Sequence, residues 1–405
     1  MELPDPLLFA LDGARRANGH TVSPAWLWVC SGQVAHLADH PPTDVPEDLP
    51  VLNGGWVIEP LADAHVHLFL CGAVDTNRRR TTASLPREQT LERVLHLLEQ
   101  YRLRGVAAVR DAGDPGGIAL EAARIANPRP DRYAAVLAAG EPVYRAGGYG
   151  GFLGRGCASV AEARRILEAN RAAGATHAKI LATGLNSVEV PGRVGAAQFS
   201  PAELVEISAA AQALGLPTMV HANGPLGAVL DTRPGSVEHG FWHDPSDRDR
   251  MAADEIPWVP TLGAWAELLQ SPSLTPSQRR GVENTDARHR GEVRAGVAAG
   301  IPVAAGSDAG SPGVSHVGGL QGELERLAAA AGSPLEALAA VRRSLALCQA
   351  EACCALGGLR PGSTAGFLWL DRDPAYDLAT LRRPRGVFLG GSWSAIGAPG
   401  QAGNP

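Results

Sequence analysis

Between about residues 55 and 310, short apolar runs alternate with longer stretches in which apolar residues recur every three to four positions. That alternation is the pattern of strands feeding helices in a parallel sheet. Residues 57–67 read as the first strand and 88–104 as the first helix. Strand 106–110 and helix 118–126 follow, then strand 133–138, helix 161–173 and strand 178–182. Helix 201–214 carries its own start signal, Ser200 with Glu203 three residues on, a capping box. Strands 218–220, 236–238 and 258–261, the arginine-rich helix 277–299 and strand 303–305 complete the series. Eight parallel strands separated by helices define an α/β protein of the (β/α)₈ TIM-barrel type.

The flanks read differently. Residues 25–30, 34–37, 366–370 and 386–389 are short β-like runs far apart in sequence. They are expected to meet in one small composite β-sandwich domain, formed by residues 1–56 and 360–397, beside a barrel over 57–359. Residues 398–405 are expected to be a disordered tail. No internal repeat or low-complexity tract interrupts this plan.

Composition narrows the function classes. The formal net charge of −6 and the lack of a basic run argue against nucleic acid as a partner. The cluster Arg78, Arg79, Arg80 is too short to change that. No stretch approaches the ~20 apolar residues of a membrane span, and residues 1–10 lack the order of a signal peptide. Six cysteines, Cys30, Cys71, Cys157, Cys348, Cys353 and Cys354, show no zinc-knuckle spacing, and reduced thiols in the cytoplasm are the expectation. Closed homo-oligomers are compatible with the sequence. Among 36 lysines and arginines there is one lysine, Lys179. Arginine cannot do what an amine of depressed pKa does, so that position attracts attention.

In a TIM barrel the chemistry sits at the C-terminal ends of the strands. The first strand ends in Asp63-Ala-His65-Val-His67, the fourth contains Lys179, the fifth ends at His221, the sixth at His239, and the eighth in Gly306-Ser-Asp308. His65 and His67 are two apart, so on a strand both imidazoles face one side. Four of only 12 histidines fall at such strand ends. With Asp308 they make a nitrogen-and-oxygen donor set suited to zinc or a similar divalent ion. A lone His-x-His is a weak signal; the ring of five positions is a strong one. His177, two residues before Lys179, shares its face as a rival ligand, although a hydrogen-bonded strand histidine explains it better.

This set resembles the amidohydrolase superfamily: His-x-His after strand one, Lys after strand four, His after strands five and six, and Asp after strand eight. Arg110-Asp111-Ala-Gly, Val237-Glu238-His239-Gly240, Val259-Pro260-Thr261-Leu262 and Gly306-Ser-Asp308-Ala-Gly310 fit as well. The resemblance covers nearly the whole chain. It implies two divalent metal ions, zinc first, with a CO₂-derived carbamate on Lys179 bridging them. His65, His67 and Asp308 would hold one ion, and His221 and His239 the other. It further implies that a hydroxide held between the metals attacks an amide or peptide-like C–N bond, with Asp308 taking the proton and returning it to the leaving amine.

Residues 179–184 and 306–310 look most like the prolidase-like branch, which acts on Xaa-Pro dipeptides and N-acyl amino acids. The rival within the superfamily is a cyclic-amide or lactone hydrolase of the imidazolonepropionase type, with one or two metals. A fold kept only as a scaffold would have lost ligands, and every position here is filled. The prolidase-like branch usually carries His-Ala-His-Gly after strand five, whereas this chain has His221-Ala-Asn223. Asn223 can donate a hydrogen bond to a small-molecule substrate but carries no proton at neutral pH. A carboxylate on such a substrate needs a cation on a loop. Tyr144 with Arg145 is the better placed candidate, and Arg78–Arg80 the alternative. Residues 147–152 read as a lid or a plain connector. Packing or surface roles suit His243, His289 and His316, and core or pocket-wall roles suit Trp242 and Trp265.

Overall fold

The computed structural model describes residues 6–16, 19–348 and 356–395; Cys353, Cys354 and the expected tail lie outside them. Leu61–Val66, Val106–Asp111 and Ala135–Ala138 form one parallel sheet. Ala178–Leu181, Thr218–Ala222, Ser236–His239 and Trp258–Val259 form a second. Single bridges join their edges: Val143 with Ile180 on one side, and Val303 with Trp258 and Ala309 with Val66 on the other. The result is a TIM-barrel-like α/β fold.

Where the sequence reads a single strand over 57–67, the structure has two. Trp56–Ile58 pairs with Phe367–Leu370 and with Gly13–Arg15, whereas Leu61–Val66 pairs with Val106–Asp111. Pro60 lies between them, and without an N–H it cannot carry a ladder through. The segment at 303–309 is held by isolated contacts rather than a full ladder. Ala64 N donates to Ala305 O at 3.0 Å and Asp308 N to His65 O at 2.8 Å.

Several helices start where a side chain satisfies their first N–H groups. Ser200 and Glu203 form the expected capping box on Pro201–Ala213, and Thr275 with Gln278 does the same for Pro276–Ala298. Among the described residues, no helix is long and apolar enough to cross a membrane.

The terminal segments form two small sheets. One sheet contains Leu7–Leu11, Ala25–Cys30, Gln33–Ala38 and Val51–Asn53. The other takes strands from both ends, among them Gly13–Arg15, Trp56–Ile58, Phe367–Leu370 and Gly386–Leu389. They share a core that includes Phe9, Leu27, Val57 and Phe367, with Phe367 stacked on Phe388 at 5.5 Å. Arg102 ties this unit to the barrel layer: its guanidinium donates to Leu389 O, Ser392 O and Ser394 Oγ. Gly105 makes the close approach, since a Cβ there would lie 2.3 Å from the Leu368 side chain, and its φ is +77°.

Candidate metal centre

His65, His67, Lys179, His221, His239 and Asp308 come from distant parts of the chain and are all buried together. One potential ligand atom from each of His65, His67 and Asp308 lies within 4.8 Å of the other two. Asp308 Oδ1 is 3.6 Å from His65 Nε2 and 3.5 Å from His67 Nε2. The ring of His239 lies 5.0 Å from that of His65 and 4.5 Å from that of His221. Buried polar atoms without a hydrogen-bond partner include His65 Nε2, His67 Nδ1, Lys179 Nζ and Asp308 Oδ1. Such orphans are costly, and their concentration in one donor set fits a divalent cation.

Two of these residues reach the site through unusual backbone. Glu238 and His239 are adjacent on a strand, so plain alternation would send them to opposite faces. Both nevertheless reach His65. His239 adopts φ +67°, in the left-handed region, which turns its imidazole into the ring. Trp258 holds it there, donating its indole N–H to His239 O at 2.8 Å. The next residue must be Gly240: its φ is +66° and a Cβ would lie 2.6 Å from Trp258 Nε1. Asp308 likewise sits at φ +57°, a conformation Asp tolerates better than most residues.

The partners of the imidazoles fix their tautomers. His65 Nδ1 is 2.7 Å from Glu238 Oε2, so it carries the proton and Nε2 keeps its lone pair for the site. Thr261 Oγ1 donates to Pro260 O at 2.7 Å and must therefore accept from His239 Nδ1, also at 2.7 Å. Glu238 is itself held by Arg110, 2.9 Å away, and by the Ser236 hydroxyl. Asp63 steadies the opposite side, accepting from Ser307 N at 2.8 Å and Ser307 Oγ at 2.5 Å.

Burial dominates the electrostatics. It lowers His67 and His221 to about 3, and His65 and His239 well below the ordinary imidazole value. All four are neutral in the physiological range, as metal ligation requires. Burial also lowers Lys179 to about 8, against the opposing pull of Glu238 and Asp308. This brings a neutral amine within reach at ordinary pH. The Asp308 carboxyl is raised to about 7, again mainly by burial.

The expected site residues divide clearly. Asn223 lines the pocket with His221, His239, Lys179 and Asp308. Its Oδ1 accepts from Phe241 N at 3.2 Å, leaving the NH₂ group, 3.4 Å from His221 Nε2. Tyr144 and Arg145 are not in the pocket wall, and the expectation that they bind substrate is corrected. Tyr144 donates to Gly154 O at 2.5 Å from within a small apolar cluster. Arg145 is satisfied by Glu203 at 2.6 Å, Gln198 O at 3.1 Å and Ala158 O at 3.0 Å. His177 bonds Asp111 O at 3.0 Å and Thr176 Oγ1 at 3.0 Å, the role of a packed strand histidine. His243, His289 and His316 also bond main-chain carbonyls, and Trp265 lines the pocket.

Sequence reasoning gave no role to Glu238, Arg110, Thr261 or Asp63. Glu238 and Arg110 lie within the motif phrases themselves, and a charged residue on a buried strand was the available signal. Glu238→Gln is expected to lower affinity for zinc by about 10–100-fold, measured by competition with a chromogenic chelator. Unchanged affinity would remove Glu238 from the metal site.

The pocket above the donor set encloses about 520 Å³, ordinary for a small-molecule site. Its wall is chiefly apolar, with Phe152, Leu185, Phe241, Trp265 and Leu268 among the lining residues. Arg79 and Arg80 also line it. Arg79 is engaged, donating to Ala73 O at 3.0 Å, Val74 O at 2.9 Å and Thr76 Oγ1 at 3.2 Å.

No protein-family model matches the chain, and no curated protein matches it. Solved structures do. A Xaa-Pro dipeptidase with methionine bound in its active site aligns at TM-score 0.80 and 19% identity, covering 96% of this chain and 100% of that one. The A. niger ochratoxinase aligns at TM-score 0.77 and 20% identity, covering 96% of each. Phenylurea hydrolase B aligns at TM-score 0.75 and 18% identity, covering 96% and 97%. The chain shares the fold of these hydrolases over 96% of its length.

Proposed function

We propose that this protein is a metal-dependent hydrolase of amide or peptide-like C–N bonds in small molecules. The observation that carries the proposal is the convergence of His65, His67, His221, His239, Lys179 and Asp308, with unpartnered buried donor atoms, beneath one apolar pocket. His65, His67 and Asp308 form one ligand set. Lys179 offers no anionic ligand atom until its amine is carboxylated; a carbamate there would complete a second set with His221 and His239. Divalent ions, zinc in the first instance, would supply Lewis acidity and water of lowered pKa.

The chain's own residues do the rest. Glu238 and Thr261 aim the lone pairs of His65 and His239, the pocket wall keeps bulk water from the scissile bond, and Asp308 handles the proton that passes to the leaving amine. The sheet-edge bridges support a closed eight-stranded barrel, and the shared apolar core supports a sandwich of the two terminal sheets. The free thiols Cys30, Cys71, Cys157 and Cys348 are in keeping with a cytoplasmic setting.

Substrates of the N-acyl amino acid kind suit the pocket, with the larger apolar group against Phe241, Trp265 and Leu268. Arg80 replaces Arg145 as the carboxylate partner. It is exposed, lines the pocket, and its guanidinium has no hydrogen bond or ion pair among the described residues. The test is a panel of N-acyl amino acids, Xaa-Pro dipeptides and cyclic amides offered to zinc-loaded protein. Hydrolysis of acyclic amides supports the N-acyl amino acid reading, turnover of cyclic amides alone would overturn that reading, and no turnover of any amide would overturn the proposal. Arg80→Met is expected to raise KM about 10-fold for N-benzoyl-phenylalanine and to leave that of its carboxamide unchanged. Equal shifts for both would release Arg80 from this role.

A further inference from the structure

Tyr149 is the group that the site gathers and that the ligand motifs do not use. It stands in the glycine-rich segment after the third barrel strand and lines the pocket together with Lys179, His221, His239 and Asp308. Its ring centroid lies 5.4 Å from that of His221, and its hydroxyl makes no hydrogen bond among the described residues.

The segment is braced rather than loose. Gln198 donates to Tyr149 O at 3.0 Å and to Thr183 O at 3.2 Å, and accepts from Arg145 N at 3.1 Å. Arg145 is in turn locked to Glu203. On the far side of Tyr149, Gly150 has φ +128°, and a Cβ there would lie 2.6 Å from Leu181 and 2.7 Å from the Tyr144 ring. The backbone on both sides of Tyr149 is thus pinned, and its phenol is held over the donor set.

Amide hydrolysis places a negative charge on the former carbonyl oxygen in the transition state, and a preorganised donor aimed at that oxygen is worth much there. Asn223 offers an NH₂ group, but its carbonyl is tied to Phe241 N. Arg80 lines the same pocket, but it is exposed. We propose that the Tyr149 hydroxyl donates a hydrogen bond to the scissile carbonyl oxygen and holds it as charge develops. This makes Tyr149 a catalytic residue and gives the Arg145–Gln198 brace the job of positioning it. No covalent bond to the protein is involved; the phenol keeps its proton throughout.

The inference rests on the amide-hydrolase reading, and one experiment separates the two. Wild type and Tyr149→Phe, both zinc-loaded, are compared on the acyclic amide that wild type cleaves best in a panel of N-acyl amino acids. Binding of the corresponding phosphonamidate, a tetrahedral mimic, and of the product amino acid is measured by calorimetry, with metal content as the fold control. The expected result is a fall of about 10²-fold in kcat with KM, metal content and product affinity unchanged, and a clear loss of affinity for the phosphonamidate alone. Unchanged kcat, or equal weakening of mimic and product, overturns the role of Tyr149 and leaves the hydrolase reading standing. If wild type cleaves no amide, acyclic or cyclic, the hydrolase reading fails and this role with it. A second variant, Gln198→Ala, should lower kcat and mimic affinity in the same pattern; no effect would exclude the brace.

Discussion

Lys179→Ala is expected to retain about one divalent ion per chain where the parent protein binds about two, and to lose about 10³-fold in kcat. The amine is buried, unpartnered and lowered to about 8, the condition under which a lysine reacts with CO₂ to give an anionic ligand. On the proposed reading a carbamate at Lys179 would join the two histidine sets, and the variant cannot form one. Metal content by plasma mass spectrometry on protein prepared with bicarbonate and zinc reads the first effect. Two ions retained in the variant, or undiminished turnover, would show that Lys179 is no bridge. Lys179→Arg should fail as completely as Lys179→Ala, because a guanidinium keeps the charge and cannot be carboxylated. A short carboxylate such as acetate, entering the space left in Lys179→Ala, should restore part of the activity.

The second large effect is expected from Asp308→Asn: a fall in kcat of about 10²–10⁴-fold with substrate affinity largely kept. The backbone at Asp308 is left-handed, and its N–H bonds His65 O at 2.8 Å. Asn tolerates that conformation, so the variant should fold with the same local geometry. The loss then reports the missing proton acceptor and anionic ligand. Steady-state kinetics on the best amide, with circular dichroism as the fold control, reads the result; near-parental turnover would remove Asp308 from the proton path.

The contrast between Arg145 and Arg80 shows what sequence order leaves open. Both are arginines on loops that follow barrel strands, and nothing in the residue pattern ranks Arg80 first. Arg145 finds Glu203 and Gln198, remote in sequence, and is consumed as a strut. The guanidinium of Arg80, in the short helix Thr76–Ala83, finds no partner among the described residues and stays available at the pocket. Which charge is neutralised depends on partners brought near by packing, and that information is not local.

The sequence by itself determined the alternation of strands and helices and the β character of both termini, and it pointed to the residues proposed as ligands. Each of these follows from local periodicity or from residue type at a strand end. It did not determine that 57–67 would divide at Pro60, that Glu238 and Arg110 would support the ligand ring, or that Tyr149 would stand over it. Those depend on long-range pairing: Trp56–Ile58 with the C-terminal strands, Arg110 across the interior to Glu238, and Gln198 reaching back to the loop before it. Residue type supplied the metal chemistry, whereas the left-handed turns at His239 and Asp308, imposed by packing around Trp258 and the first strand, decided where it points.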